Sequence, residues 1–420
     1  PRPAVFLFPL MLALAAAIVG ARIARLALTW SRRVRRSIGS GATWLAIRRL
    51  RSAPGLTSLL LVAGILSLTI ATAALATVAS LRTTVRSKAE VFVGSQVQVQ
   101  VEGPAEITAE FPFPLTTATR LHDAGTLDDT DTSFDLLAID PATFAGAASW
   151  NDAFSDTPLD TLLDRLAERG TGAAPVVVAN GDGLAPTSME IARHSVPLQV
   201  VGEAAAFPGA SNRRPLLVVD RAALADAFRG LPDPLLVPRA TSEVWIDGPP
   251  ADVQPRLRDL GFRPLLVITA DEVQDIPFID AVVQTFLVLQ VLGYSAVVLL
   301  LVVGVVYLHA RQRGRAVATT LSDRMGMARS TMRAASILEL GALLLASLLV
   351  GTITGAIATG VIVPSIDPLP TIPPEPLLAF PFAAIVATGL CLAVAAFVGG
   401  TAADRGARHV STGEVMRVAE

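Results

Sequence analysis

Hydrophobic positions gather into five long runs, at 1–28, 55–80, 282–309, 334–363 and 379–400. A helix needs about 20 predominantly apolar residues to cross a bilayer, and each run is long enough. The second run has no charged residue between Arg51 and Arg82. Between the second and third runs the pattern changes. Short apolar stretches with period two predict strands at 91–103, 174–180, 196–204, 214–220, 242–248 and 263–270. Leucines at i, i+3 and i+4, Asp starts and Gly ends predict helices at 159–170, 220–230 and 251–261. The pattern predicts a membrane protein: an all-α transmembrane helix bundle of five spans with an inserted α+β domain at 81–281. The first run resembles a signal peptide in its small residues. Its basic cluster follows the apolar stretch, however, which favours a spanning helix.

Charge sets the orientation. Between positions 20 and 54 stand nine arginines and no acid. Between 311 and 333 stand six arginines and one acid, Asp323. Short basic connectors stay in the cytoplasm. The linker 29–54, the loop 310–333 and the tail 401–420 are therefore cytoplasmic. The 81–281 domain and the loop 364–378 are extracytoplasmic, and the chain is expected in the cell (plasma) membrane as a multi-pass protein. Within 29–54, Trp44, Leu45, Ile47 and Leu50 fall near one side of a helix and Arg48, Arg49 and Arg51 mostly on the other, an interfacial amphipathic pattern.

Composition agrees with this picture. Of 420 residues, 52% are hydrophobic and 17% charged, against about 25% charged in an average soluble chain. A net charge of −2 gives no case for nucleic acid. The single Cys391 excludes an intramolecular disulfide and a thiolate-rich metal site. His122 and His194 have no HxxxH or Cys partner, so no metal site is read. Asp128, Asp129 and Asp131 lack regular oxygen-ligand spacing and read as a solvated loop. Polar groups inside the spans are few: Gln284, Gln290 and Glu339. They form no row across the bilayer, which argues against a proton or ion pathway. Glu339 is expected to pair with a cytoplasmic arginine. Gly351, Gly355 and Gly360 supply small-residue helix-packing positions. No phosphate-binding loop and no G-x-S-x-G occurs, so no catalytic residue is assigned and the chain is read as not itself an enzyme.

The layout of one span, a large external domain and three further spans resembles the FtsX-like, MacB-type permease subunits of ABC transporters. The resemblance rests on the stretch 310–340, with Arg311, Arg313 and Arg315, then Arg324-Met325-Gly326-Met327, then Arg329 and Arg333, then Glu339. It rests also on the ending Glu414, Arg417, Glu420, and on the strings at 196–209 and 214–228. Arg315-Ala316-Val317 stands where the family commonly carries a glutamate. The resemblance implies that residues 55–400 are one permease unit and that the first span is the last helix of a preceding unit. It implies a separate cytoplasmic ABC ATPase dimer, which would hold the ATP and Mg, this chain binding no cofactor. It implies a second permease unit, in the same polypeptide or as a homo- or heterodimer, and an envelope or lipoprotein partner. Arg311, Arg313, Arg315, Arg324, Met325, Gly326, Arg329 and Arg333 are then expected to couple to the ATPase. Trp44, Arg48, Arg49, Arg405, Arg408, Glu414 and Arg417 would be secondary contacts. The expected output is extraction or export of a lipid, lipoprotein or peptide, or envelope regulation, driven by movement of the external domain. The alternative is a non-transporting sensor or scaffold that binds an envelope ligand or protein.

Overall fold

The computed structural model describes residues 4–30, 41–101, 111–128, 132–168, 172–181, 183–191, 193–212, 214–228, 240–259, 264–274, 277–367 and 369–408. In chain order the elements are α1 (Ala4–Trp30), α2 (Gly41–Ser52), α3 (Pro54–Val93), β1 (Val97–Val101), β2 (Leu115–Leu127), β3 (Ser133–Ile139), α4 (Pro141–Ala147) and α5 (Leu159–Ala167). There follow β4 (Ala174–Ala179), β5 (Ser188–Ile191), β6 (His194–Ala204), β7 (Leu216–Asp220), α6 (Arg221–Ala227), β8 (Ala240–Ile246), α7 (Pro250–Asp259), β9 (Pro264–Thr269) and α8 (Ala270–Gln274). The chain ends with α9 (Pro277–Ala310), α10 (Gln312–Arg324), α11 (Arg329–Ile362) and α12 (Phe382–Arg408). It forms two compact units, one of residues 1–80, 284–366 and 378–420, the other of 81–283 and 367–377.

The first unit is helical. Helices α1, α3, α9, α11 and α12 are each long and apolar enough to cross a membrane. Their buried faces meet in one core, with Ala17, Leu60, Ile65, Leu68, Leu300, Leu343, Leu344 and Leu392 at its centre. Their outer faces stay apolar. On α12, Phe382, Val386, Leu390 and Val394 recur every fourth residue and are all well exposed, as a lipid-facing stripe requires. Helices α3 and α11 cross closely. A Cβ added at Gly351 would stand 2.7 Å from the Leu68 Cβ, and one at Gly355 would stand 2.7 Å from the Thr72 Cβ. Gly360 meets nothing within 4 Å. The small-residue stripe thus packs at its first two positions, and the third faces open space. Gly351→Val is expected to weaken the bundle by about 1–3 kcal/mol through overpacking, and Gly360→Val to leave it unchanged, in a denaturant titration of the solubilised protein.

The second unit carries a nine-stranded sheet in the order β3-β7-β4-β6-β5-β2-β8-β1-β9, and β2 also pairs with β3. That extra pairing closes β2, β3, β7, β4, β6 and β5 into a ring. The remaining strands, β8, β1 and β9, extend from β2 as a wing. Closure needs a long, bent β2. Its first half pairs with β8 and its last residues with β5, with a register break between Leu121 and Gly125. Both faces of the central strands are covered. In β3, Leu136 and Ala138 enter one core while Leu137 and Ile139 enter the other. Strands buried on both sides read as continuous apolar runs, as VVV at 176–178 does. Helices α4 and α5 cover one face through Phe144, Leu162, Leu163 and Leu166. Helix α7 covers the wing through Val253 and Leu257.

The molecule is thus a multi-spanning membrane protein with an inserted extracytoplasmic β-rich domain. The structure differs from the sequence pattern at the start of that domain. Residues 91–93 end α3 and do not begin a strand; β1 starts only at Val97. Strands β2, β3 and β5 and helix α4 were not legible in the pattern.

Candidate functional site

Two places in the fold concentrate buried hydrogen-bonded contacts. The first lies in the helical unit, around Glu339, which is fully buried on α11. Glu339 Oε1 accepts hydrogen bonds from the Tyr307 hydroxyl at 2.8 Å and from Arg315 at 3.0 Å, and a further one from Arg311. Arg311 also donates to the Tyr307 hydroxyl at 2.7 Å, to the Arg49 carbonyl at 2.7 Å and to the Ser52 hydroxyl at 3.2 Å. Arg49 donates to Ser336 at 2.8 Å. The Arg311 and Arg315 guanidinium carbons lie 5.6 and 6.0 Å from the Tyr307 ring centroid, within cation–π range.

The cluster gathers α2, α9, α10 and α11. Helix α9 ends at Ala310 and α10 begins at Gln312, so Arg311 stands at their joint. Arg311 and Arg315 are one helical turn apart, and both side chains turn inward. Two guanidinium groups, of Arg311 and Arg315, contact the Glu339 carboxylate, with the buried Arg49 close by, so Glu339 is the group on which this arrangement depends. Asp404 on α12, buried, lies 3.9 Å from Arg333 Nε and ties α12 to α11.

Other coupling candidates fall elsewhere. The Met325–Gly326 turn, between α10 and α11, projects outward: Met325 is 76% exposed. Gly326 has a φ of +77°, left-handed, where a side chain would be strained. Arg329 is exposed and Arg333 half-exposed. The side chains of Arg313, Arg324 and Arg408 lie outside the described side chains, and Glu414 and Arg417 outside the described residues. Arg405 is exposed. On α2 the buried face is Ala42, Leu45, Ala46, Arg49 and Leu50, packed on Met332 and Ala335 of α11. Trp44 is instead exposed, with the Arg48 guanidinium 5.2 Å from its ring centroid. The helix is amphipathic about a different axis from the one its sequence suggests, because Arg49 is drawn into the cluster. The expected pairing of Glu339 with a cytoplasmic arginine is present, supplied by Arg311 and Arg315.

The second place is the entry of α3 into the β-rich unit. Val85, Ala89, Val91 and Val93 are buried there. Gly94, with φ +87°, ends the helix, and its amide donates to the Glu90 carbonyl at 2.7 Å. The Ser149 amide donates to the Gly94 carbonyl at 2.9 Å, and the Gly209 amide to the Val91 carbonyl at 2.6 Å. The Trp245 ring fills the space where Cβ atoms at Gly94 and Gly209 would stand, 2.6 and 2.9 Å away. Trp245 Nε1 donates to Glu243 Oε2 at 2.9 Å, and Arg120 donates to the same oxygen at 3.0 Å. The last residues of α3, 81–93, which belong to the sheet unit, are thereby fixed in its core.

Further out, His122 is not isolated. Its Nδ1 lies 3.2 Å from Asp135 Oδ2, and Asp135 also accepts from the Asp123 amide at 2.9 Å and from Asn212 at 2.8 Å. Burial alone would raise the Asp135 pKa; the hydrogen bonds from His122, Asp123 and Asn212 outweigh it, and the carboxyl sits below its ordinary value of 3.8. A depressed folded-state value stabilises the fold above the unfolded value, and this stabilisation is lost as pH falls through the folded one. The β-rich unit is therefore expected to lose stability below about pH 4. Asp135→Asn should flatten that dependence in melts followed by tryptophan emission. Asp128 is more than a solvated loop residue: its Oδ1 accepts from the Thr187 and Ser188 amides, each at 2.8 Å. Asp129 and Asp131 lie outside the described residues. An open cleft of about 400 Å³, lined in part by Asp156, Thr157, Asn180 and Glu203, lies at the carboxyl ends of β4 and β6.

Compared with known families and with curated proteins, the chain matches no family model and no curated sequence. Its fold and these sites define the class: a multi-pass membrane protein with an extracytoplasmic domain capable of conformational coupling.

Proposed function

We propose that this chain is the permease-type subunit of an ABC transporter of FtsX/MacB layout. A separate cytoplasmic ATPase dimer drives it, and its external domain does mechanical work on a lipid, lipoprotein or peptide, or on an envelope partner. The observation that carries the reading is α3, one unbroken helix from Pro54 to Val93 whose last residues belong to the sheet unit's core. An unbroken helix is a stiff element able to pass displacement along its axis. The Glu339 cluster supports the reading, since it ties α10 to α2, α9 and α11. Docking on the ATPase is assigned to the exposed Met325–Gly326 turn with Arg329, while Arg311 and Arg315 brace the helices behind it.

The test is purification with an ATPase that lacks spans of its own, followed by ATP hydrolysis. Met325→Glu combined with Arg329→Glu is expected to abolish association and stimulation without altering the melt of the bundle. Unchanged association would rule out this docking surface. A second reading, a sensor or scaffold, draws on the 400 Å³ cleft, whose size suits a small polar ligand. Ligand binding with no accompanying ATPase, and unaffected by ATP, would favour it.

A further inference from the structure

Lys88, on α3, is the chain's one lysine, and its side chain is wholly buried. Its ammonium donates to the two Asp367 carboxylate oxygens at 2.8 and 2.9 Å, and to the carbonyls of Leu369 and Ile372 at 2.8 and 2.7 Å. One helical turn earlier, Thr84 Oγ1 accepts from the Leu377 amide at 2.9 Å. One turn earlier again, the Ser80 hydroxyl accepts from the Ala379 amide at 3.0 Å and donates to the Ala379 carbonyl at 3.1 Å. Spacing by four puts Ser80, Thr84 and Lys88 on one face of α3.

The segment they hold joins the 3-10 turn after α11 (Val363–Ser365) to α12 and has no helix or strand of its own among the described residues. Apart from the Ile372 amide, which donates to the Leu369 carbonyl at 3.1 Å, and the Leu369 amide, its backbone groups need partners from elsewhere. The α3 stripe supplies them in order, with Lys88 meeting the start of the segment and Ser80 its end. Asp367 Oδ1 also accepts from the Leu369 amide at 3.0 Å, which shapes the turn that presents both carbonyls to the ammonium. The ammonium's three N–H groups face four acceptors, so none is left unsatisfied when it is removed from water. If the segment lifted away, the ammonium would be left buried without its carboxylate, a state that strongly disfavours opening.

We infer that residues 367–379 form a strap clasped shut by Lys88, so that the strap and the outer turns of α3 move as one body. The inference deepens the mechanical reading above, but the clasp itself stands or falls without any ATPase.

Hydrogen exchange on the purified full chain tests it directly. In Lys88→Met, amides of 366–380 are expected to exchange at least ten-fold faster, while those of β3 and β7 keep wild-type rates. In a Cys391→Ser background, a disulfide between Thr84→Cys and Leu377→Cys should restore protection to Lys88→Met. If Lys88→Met fails to fold, Ser80→Ala with Thr84→Val is the substitute, with a roughly three-fold acceleration at 377–379. Unchanged exchange in the strap would overturn the inference. So would an equal rise across β3 and β7, or a disulfide that restores nothing, since Lys88 would then be a residue of the fold alone.

Discussion

Glu339→Gln is expected to destabilise the helical unit by about 3–5 kcal/mol, the cost typical of removing one partner from a buried charge pair. The substitution keeps the side chain's shape but leaves Arg311 and Arg315 buried without the carboxylate they contact, and Arg49 without its neighbouring negative charge. Tyr307 would keep an acceptor, so the loss is chiefly electrostatic. Denaturant titration of the solubilised protein measures the effect. A loss below about 1 kcal/mol would mean that the arginines find other counter-charges. Combining Glu339→Gln with Arg315→Gln should recover part of the loss, because residues in one network are coupled. If Glu339 braces the coupling helix as proposed, the single variant should also lower any stimulation of ATP hydrolysis.

A similar effect is expected in the β-rich unit. Trp245→Ala should cost about 3–5 kcal/mol, as truncation of a fully buried aromatic does. Trp245 is 0% exposed, lies 5.6 Å from Phe144 between ring centroids, and seats the Gly94 turn. Its loss opens a cavity beneath the end of α3 and removes a donor from Glu243. The expected result is faster hydrogen exchange in β8, β1 and the last turns of α3, with α11 and α12 unaffected. Uniform acceleration across both units would mean that Trp245 supports the whole chain and not this joint. Gly94→Ala should act at the same place, since its Cβ would press on the ring and its φ is left-handed.

The spans were legible because apolar runs of that length have one ready explanation in water and lipid. Strands β4, β6 and β7 were legible for a related reason: strands buried on both faces or alternating between faces leave a short-period pattern. The end of α3 was not. LRTTVRSKAEVFV, at 81–93, is polar and β-branched, and its helicity follows from burial against the sheet unit and from partners such as Asp367 for Lys88, 279 positions away. Strand β2 hid for a similar reason. Its Thr116, Thr119 and Arg120 are buried where it pairs with β3 and β8, while its own residues do not alternate. At the Glu339 cluster the residues were visible and their direction was not. Arg311 and Arg315 read as outward cations because sequence gives spacing along a helix but not which neighbour the face meets.

Sidedness underlies every functional statement made for this protein. In a Cys391→Ser background, a single thiol at Asp160→Cys, exposed on α5, should react with a membrane-impermeant maleimide on intact cells. One at Ser330→Cys, exposed at the start of α11, should react only after permeabilisation. The opposite labelling pattern would put the arginine-rich connectors outside and contradict the account at its root.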